Sequence, residues 1–206
     1  MNNLSIYSGD LPSDIDFGNS VAIDTEATGL NLNRDRITLV QISDSKKNCH
    51  IVQLKLNENT YEAKNLKKLI SNNNITKLFH YGRFDIAMLS IWIGPVKGPI
   101  YCTKIASKLI RTYTGNHGLK DLCSELLGIN ISKEYQSSDW AQENLSEQQL
   151  NYAAQDVIYL HELQSKLDIM LKREDRIELA KKCFNTLNTI VELDIKGWQN
   201  EDIFSH

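Results

Sequence analysis

Val21-Ala22-Ile23-Asp24-Thr25-Glu26-Ala27-Thr28-Gly29 joins a short apolar run to two acids and a closing glycine. Val21-Ala22-Ile23 reads as a buried strand, predicted over 21–24, and Gly29 ends the segment. Carboxylates therefore stand at a strand terminus. Residues two apart on a strand share a face, so Asp24 and Glu26 are placed to converge while Thr25 points the other way. Further candidate strands lie at 37–43 and 49–54, with polar turns at 33–36 and 44–47. A helix follows near 61–71, then a strand at 77–80 and a helix at 84–92. Beyond Gly94-Pro95 and Gly98-Pro99 the pattern is mainly helical, over 103–111, 119–127, 146–172 and 175–192. A meander followed by αβ units predicts an α/β protein, with a mixed central sheet flanked by helices and a helical C-terminal part.

Two more acidic motifs follow. Phe84-Asp85 comes after the strand-like Lys77-Leu78-Phe79-His80, which puts Asp85 near a helix start, where the N-terminal dipole favours the anion. Tyr152-Ala153-Ala154-Gln155-Asp156 lies in a stretch free of Gly and Pro with helical periodicity. Tyr152 and Asp156 therefore share a helix face about one turn apart. Each motif alone is commonplace: Asp-x-Glu is mostly a solvated loop or cap pair, and Tyr-x-x-x-Asp is more often a half-buried phenol beside a surface acid. Their order along the chain, at a strand end, a helix start and mid-helix, points to one site. Hard ions such as Mg²⁺ and Mn²⁺ take carboxylate oxygens and water and keep positions open for phosphate, whereas no Cys-x-x-Cys or His-x-x-x-His spacing suited to zinc occurs. Paired ions of this kind flank a phosphodiester, so phosphodiester hydrolysis is the expected chemistry.

Longer stretches are more specific: Asp24-Thr25-Glu26-Ala27-Thr28-Gly29-Leu30, Phe79-His80-Tyr81-Gly82-Arg83-Phe84-Asp85, Cys102-Thr103-Lys104-Ile105-Ala106-Ser107-Lys108-Leu109 and Gln136-Ser137-Ser138-Asp139-Trp140. Through them the chain resembles the DEDD superfamily of 3′-to-5′ exonucleases, in the tyrosine-bearing branch with ribonuclease D, and more closely the compact bacterial nano-RNase C proteins. The likeness runs from Ser8-Gly9-Asp10-Leu11-Pro12 to Asp202-Ile203-Phe204. It implies a ribonuclease H-like exonuclease fold and two divalent cations, Mg²⁺ or Mn²⁺, ligated by Asp24, Glu26, Asp85 and Asp156, with Tyr152 orienting the nucleophilic water. A phenol with an ordinary pKa near ~10 stays protonated at neutral pH and acts by hydrogen bonding rather than as a strong base. The resemblance also places an apolar wedge against the terminal bases at Leu30, which on its own reads as a core leucine. The chain departs from the wider superfamily in having His80-Tyr81 where His-Asn is frequent, which bears on substrate contacts next to Asp85.

At 206 residues and 41% hydrophobic, the chain is long enough to bury a core without staples, and a single domain over 1–206 is expected. Cys49, Cys102, Cys123 and Cys183 are scattered and read as reduced packing residues of a cytoplasmic protein. With no leader and no long apolar run, secretion and membrane insertion are both disfavoured. A formal charge of −3 leaves no surplus for tracking a long strand, because such binding rests on many phosphate contacts. Cations cluster locally instead, over 104–111 and 172–176. A small footprint follows, and the resemblance likewise implies short RNA, dinucleotides above all.

Candidate substrate contacts are Thr25, Leu30, His80, Gln136, Ser137 and Ser138. The Gln136-Ser137-Ser138 trio offers an amide and short hydroxyls for phosphate oxygens or a ribose 2′-OH, while Asp139 reads equally as an N-cap and Trp140 as a core residue. His80 at a strand end is a substrate contact or a hydrogen-bonded structural residue. Arg111, His117 and Lys120 are candidates for a terminal phosphate, each also readable as a solvated surface group. Ile177, Ala180, Phe184, Leu187 and Val191 form one apolar stripe, and the tail with Trp198, Ile203 and Phe204 is expected to dock. The resemblance implies a closed ring of identical subunits, commonly an octamer. Alternatives left open are a broader ribonuclease D-like processing enzyme, an exonuclease that also cuts DNA, and a non-catalytic RNA-binding scaffold.

Overall fold

The computed structural model describes residues 3–56, 61–132, 134–135, 138–203 and 205. Alternation along the acid-tipped segment organises it. Six strands, β1 (Leu4–Ser8), β2 (Ser20–Ala27), β3 (Ile37–Ser43), β4 (Cys49–Gln53), β5 (Thr76–Phe79) and β6 (Ile100–Cys102), form one sheet in the order β1-β4-β3-β2-β5-β6. The meander β2-β3-β4 is antiparallel, closed by the polar turns read from the sequence. The pairs β1–β4, β2–β5 and β5–β6 are parallel. Parallel neighbours need crossovers, and α1 (Lys64–Ile70) and α2 (Arg83–Trp92) lie in the connections leading into β5 and β6.

Every residue of β3 is buried, including Thr38, Gln41 and Ser43, because helices cover both faces of the sheet at its centre. One cover is α2. The other is α5 (Glu147–Ile158), which packs on β2, β3 and β4. Between them come α3 (Thr103–Ile110) and α4 (Leu119–Leu122), the latter continuing as π-helical turns over Cys123–Leu127 to Gly128 at φ 70°. After α5 come α6 (Leu160–Arg173) and α7 (Ile177–Leu193). The buried stripe of α7 is Ala180, Phe184, Leu187 and Val191, as the periodicity predicts.

Several boundaries differ from the sequence reading for physical reasons. Strand β2 runs on to Ala27, because pairing with β3 carries it beyond the apolar residues. Strands β1 and β6 were not predicted. The first is a mixed-polarity edge strand and the second only three residues long, so neither has a run that stands out. The single helix expected over 146–172 is two, separated at Tyr159, whose φ −101°, ψ −7° departs from the regular helical values. The first predicted helix starts later, at Lys64. Trp198 and Ile203, expected to dock, are 42% and 48% exposed, and Phe204 lies outside the described residues.

Candidate active site

Strand β2 delivers its acids in two directions. Asp24 and Glu26 share the face covered by α5. Thr25 points to the α2 side, is 7% exposed, and spends both donors on one oxygen of Asp85. Its backbone N–H reaches Asp85 Oδ1 at 3.0 Å and its hydroxyl the same atom at 2.7 Å. The opposite orientation read for Thr25 holds, and its hydroxyl positions Asp85.

Asp85 reaches that place through a tight β5–α2 turn. Tyr81 takes a left-handed backbone conformation at φ 65°, uncommon for a bulky residue. Gly82 then passes so close to Phe79 that an added Cβ would lie 2.4 Å from the phenylalanine Cβ. The turn brings α2 in with Asp85 in its first turn, as the motif order predicts. The dipole expectation is only part of the outcome: burial pushes the Asp85 carboxyl up to about 6, with the Thr25 hydrogen bonds pulling the other way.

Helix α5 supplies the last pair. Ser146 begins it with a capping box, its hydroxyl accepting from Gln149 N at 3.2 Å while Gln149 Oε1 accepts from Ser146 N at 3.0 Å. Ser146 rather than Asp139 is thus the N-cap; Asp139 instead closes a turn by accepting from Ala141 N at 3.0 Å. Tyr152 and Asp156 face β2 one turn apart, and the phenol hydrogen-bonds the Asp156 carboxyl. Trp140 is a core residue, its ring 6.0 Å from that of Tyr152, which it backs.

One carboxylate oxygen each from Asp24, Glu26 and Asp156 can be chosen with all three within 4.8 Å of one another. Asp85 adjoins this trio, held by Thr25. Such crowding is costly for bare anions. Burial, then Asp85, Asp156 and Glu26, hold the Asp24 carboxyl well above the carboxylate range. Burial, then Asp156 and Asp85, push Glu26 to about 9, and burial with Asp85 pushes Asp156 to about 7. An all-oxygen donor set whose acids repel one another until neutralised fits hard divalent cations, which prefer carboxylates. Burial and the neighbouring anions also raise the Tyr152 phenol, which stays protonated at neutral pH.

A measurable consequence concerns Glu26. Its folded pKa lies above its unfolded one, so the folded state binds the proton more tightly. The stability this group contributes is complete below the unfolded value and is lost as pH climbs towards about 9. Glu26→Gln removes that penalty. In chelator the variant is expected to melt above the wild type, by a margin that widens from pH 6 to pH 9 at up to about 1.4 kcal/mol per pH unit. With added Mg²⁺ its thermal shift should be smaller than the wild type's. A margin independent of pH in thermal melts would contradict the crowding.

The acids line a cleft of about 920 Å³ together with Leu30, His80, Tyr81, Lys104, Lys120 and Ser138. Leu30 is 77% exposed, which rejects the core reading and leaves an apolar side chain projecting at the cleft. His80 is oriented by Thr103, Nδ1 to Oγ1 at 2.8 Å. Gln136 and Ser137 lie outside the described residues. Arg111 is fully buried and tied to Ser107, Asn116 O and Glu125, so it is a structural cation and no terminal-phosphate ligand. His117 bonds Ser107 of α3 at 2.8 Å, and of the three candidates only Lys120 lines the cleft.

Sequence reasoning missed the pairing of Lys104, whose Nζ sits 3.6 Å from the centroid of the Tyr81 ring. A signal existed in the local cation cluster, but not the identity of its partner. It also missed Arg83, Asp194, Gln199 and Asn200, which line the cleft. No local pattern announces a contact between residues 111 positions apart.

Comparison with known proteins bears on this geometry. A sequence profile described as 3′-5′ exonuclease matches residues 10–172. DNA polymerase I of Aquifex aeolicus is 39% identical over 156 residues, 74% of this chain and 24% of that protein. Ribonuclease D of Acidiphilium cryptum is 34% identical over 113 residues, 55% of this chain and 29% of that one. The chain thus spans only about a quarter to a third of the length of these curated relatives. Among solved structures, Brucella melitensis NrnC is 48% identical with a TM-score of 0.95 over 100% of both chains, and that protein has also been solved bound to pGG and with bound Mg²⁺. Escherichia coli RNase D, 21% identical with a TM-score of 0.74 over 84% of this chain and 45% of that one, shares the fold.

Proposed function

The chain belongs to the 3′-5′ exonuclease family, and on that basis we propose that it is a divalent-cation-dependent exoribonuclease that removes nucleoside 5′-monophosphates from the 3′ ends of short RNA, dinucleotides above all. The observation that carries this reading is the gathering of Asp24, Glu26 and Asp156, with Asp85 and Tyr152 beside them, in one cleft. Asp24, Glu26, Asp85 and Asp156 would hold two Mg²⁺ or Mn²⁺ ions, which when bound neutralise the phosphodiester and make water acidic enough to attack. Binding of Mg²⁺ and pGG by Brucella melitensis NrnC supports the cation and the short substrate.

The residues of the chain do the positioning. Thr25 fixes Asp85, and Tyr152, protonated and hydrogen-bonded to Asp156, orients the water for attack on the terminal phosphodiester. Water adds its oxygen to phosphorus, the 3′-oxygen of the penultimate nucleoside leaves, and the proton count closes on that oxygen. Leu30 packs against the terminal bases and His80 and Ser138 contact the backbone, with Thr25, Gln136 and Ser137 as further proposed substrate contacts. A cleft of about 920 Å³ falls within the roughly 300–1,000 Å³ typical of small-ligand sites, which suits a dinucleotide better than a long strand.

We take 1–206 as a single exonuclease domain. The buried free thiols of Cys49, Cys102 and Cys123 support a cytoplasmic setting, and no helix among the described residues is long and apolar enough to cross a membrane. Exposed Ile169, Leu179, Ile195 and Trp198 support self-association, the ring of eight itself rests on the family resemblance alone, and sedimentation of the purified protein as a monomer would remove that part.

End-labelled RNAs of two to about twenty nucleotides, with matched DNA, test the function. The dinucleotide is expected to be cut fastest. Equal or slower cleavage than longer RNA would favour a processing enzyme of the ribonuclease D kind, and comparable DNA cleavage a general exonuclease.

A further inference from the structure

Helix α7 begins beyond residue 172, where the family match ends, yet its C-terminal end reaches the active-site cleft. It packs against α2, the helix that carries Asp85. At its end it passes into π-helical turns over Asp194–Trp198, in which Gly197 takes φ 107°, a conformation open to glycine. The chain thereby turns so that Gln199 and Asn200, with Asp194, line the cleft that holds the acids.

A charged fork holds this turn in place. Arg83, two residues before Asp85, donates from Nε to Asp194 Oδ2 at 2.6 Å and from Nη2 to Asp194 Oδ1 at 2.5 Å, and Nη2 also reaches Gln199 O at 3.2 Å. Asp194 is only 6% exposed while the Arg83 side chain is 40% exposed, so a buried carboxylate anchors a half-exposed cation at the cleft. Bidentate geometry fixes direction as well as distance. It also consumes the positive charge of Arg83, a side chain otherwise suited to grip phosphate. On this side the cleft presents amides and a cation already paired within the protein, and the lysines lining the cleft among the described residues are Lys104 and Lys120.

We propose that residues 194–200, latched to α2 by Arg83 and Asp194, form an end wall that stops the RNA after its first nucleotides, making Asp194 a positioning residue for substrate length. The inference rests on the short-RNA reading above. Its test compares kcat/KM for a dinucleotide and a ten-nucleotide RNA in the wild type, in Asp194→Ala, and in a variant ending at Trp198. The dinucleotide-to-decamer ratio is expected to fall at least tenfold in both variants, chiefly through a lower KM for the decamer, with the Mg²⁺-induced thermal shift retained. A loss shared equally by both substrates, or an unchanged ratio, overturns the wall. If Asp194→Ala fails to fold, the shortened variant decides alone. A wild type without preference for the dinucleotide sinks the short-RNA reading and the wall with it, whereas a preference that survives in the variants sinks the wall only.

Discussion

Replacing Asp24 by alanine is expected to reduce RNA hydrolysis by about a thousandfold or more while leaving the chain folded. Asp24 is the carboxylate that meets the other three: burial holds its carboxyl well above the usual carboxylate range, and the charges of Asp85, Asp156 and Glu26 raise it further. Removing it takes away one of the four carboxylates that would hold the proposed ions, and the lost transition-state stabilisation of several kcal/mol corresponds to roughly a factor of ten for each 1.4 kcal/mol. Truncation also relieves repulsion among the remaining acids, so in chelator the variant should melt no lower than the wild type. Measured turnover of a labelled dinucleotide in Mg²⁺, beside a thermal melt, separates the two effects. A folded variant that keeps its RNA hydrolysis would place the chemistry elsewhere, whereas a wild type that binds RNA without hydrolysing it would make the chain a scaffold.

Tyr152→Phe tests a different link. The phenol is buried against Trp140, raised in pKa and hydrogen-bonded to Asp156. Its expected task is to hold the attacking water in line, and contributions from positioned proton-bearing groups run at about 10²–10⁴-fold. Turnover should therefore drop on the order of a hundredfold or more. The ring stays, so packing and the carboxylate trio stay, and the concentration of Mn²⁺ that half-saturates the thermal shift should change little. Full activity in the variant would strip the hydroxyl of its role. A parallel loss of Mn²⁺ affinity would make Tyr152 a support for Asp156 instead.

The two variants differ in what made them visible. Asp24 and Glu26 were legible because strand alternation alone puts them on one face, and Tyr152 and Asp156 because helical spacing alone puts them one turn apart. Asp85 was legible as a residue near a helix start but not as the partner of Thr25, which needs α2 laid against one particular face of β2. The core strand β3 stood out by its apolar run. The edge strands β1 and β6 did not, since a strand of five mixed residues or of three gets its hydrogen bonds, and hence its existence, from neighbours.

Misreadings had the same origin. Arg111 reads as a phosphate ligand or a solvated surface group because a cation in a basic cluster is usually exposed; packing buried it and gave it Ser107, Asn116 and Glu125 as partners. Leu30, which only without the family resemblance reads as core, is exposed on a cleft wall, because the turn after β2 leaves the sheet there.

By itself, then, the order of residues determined everything that depends on neighbours a few positions away: which faces carry acids, where the middle strands run, that the ligand chemistry is hard oxygen. Tertiary structure alone decided which of those faces meet. The 4.8 Å gathering of Asp24, Glu26 and Asp156, the grip of Thr25 on Asp85 and the latch from Arg83 to Asp194 join segments far apart in the chain. Local backbone preferences carry no information about such meetings, which come from burying apolar surface between whole elements.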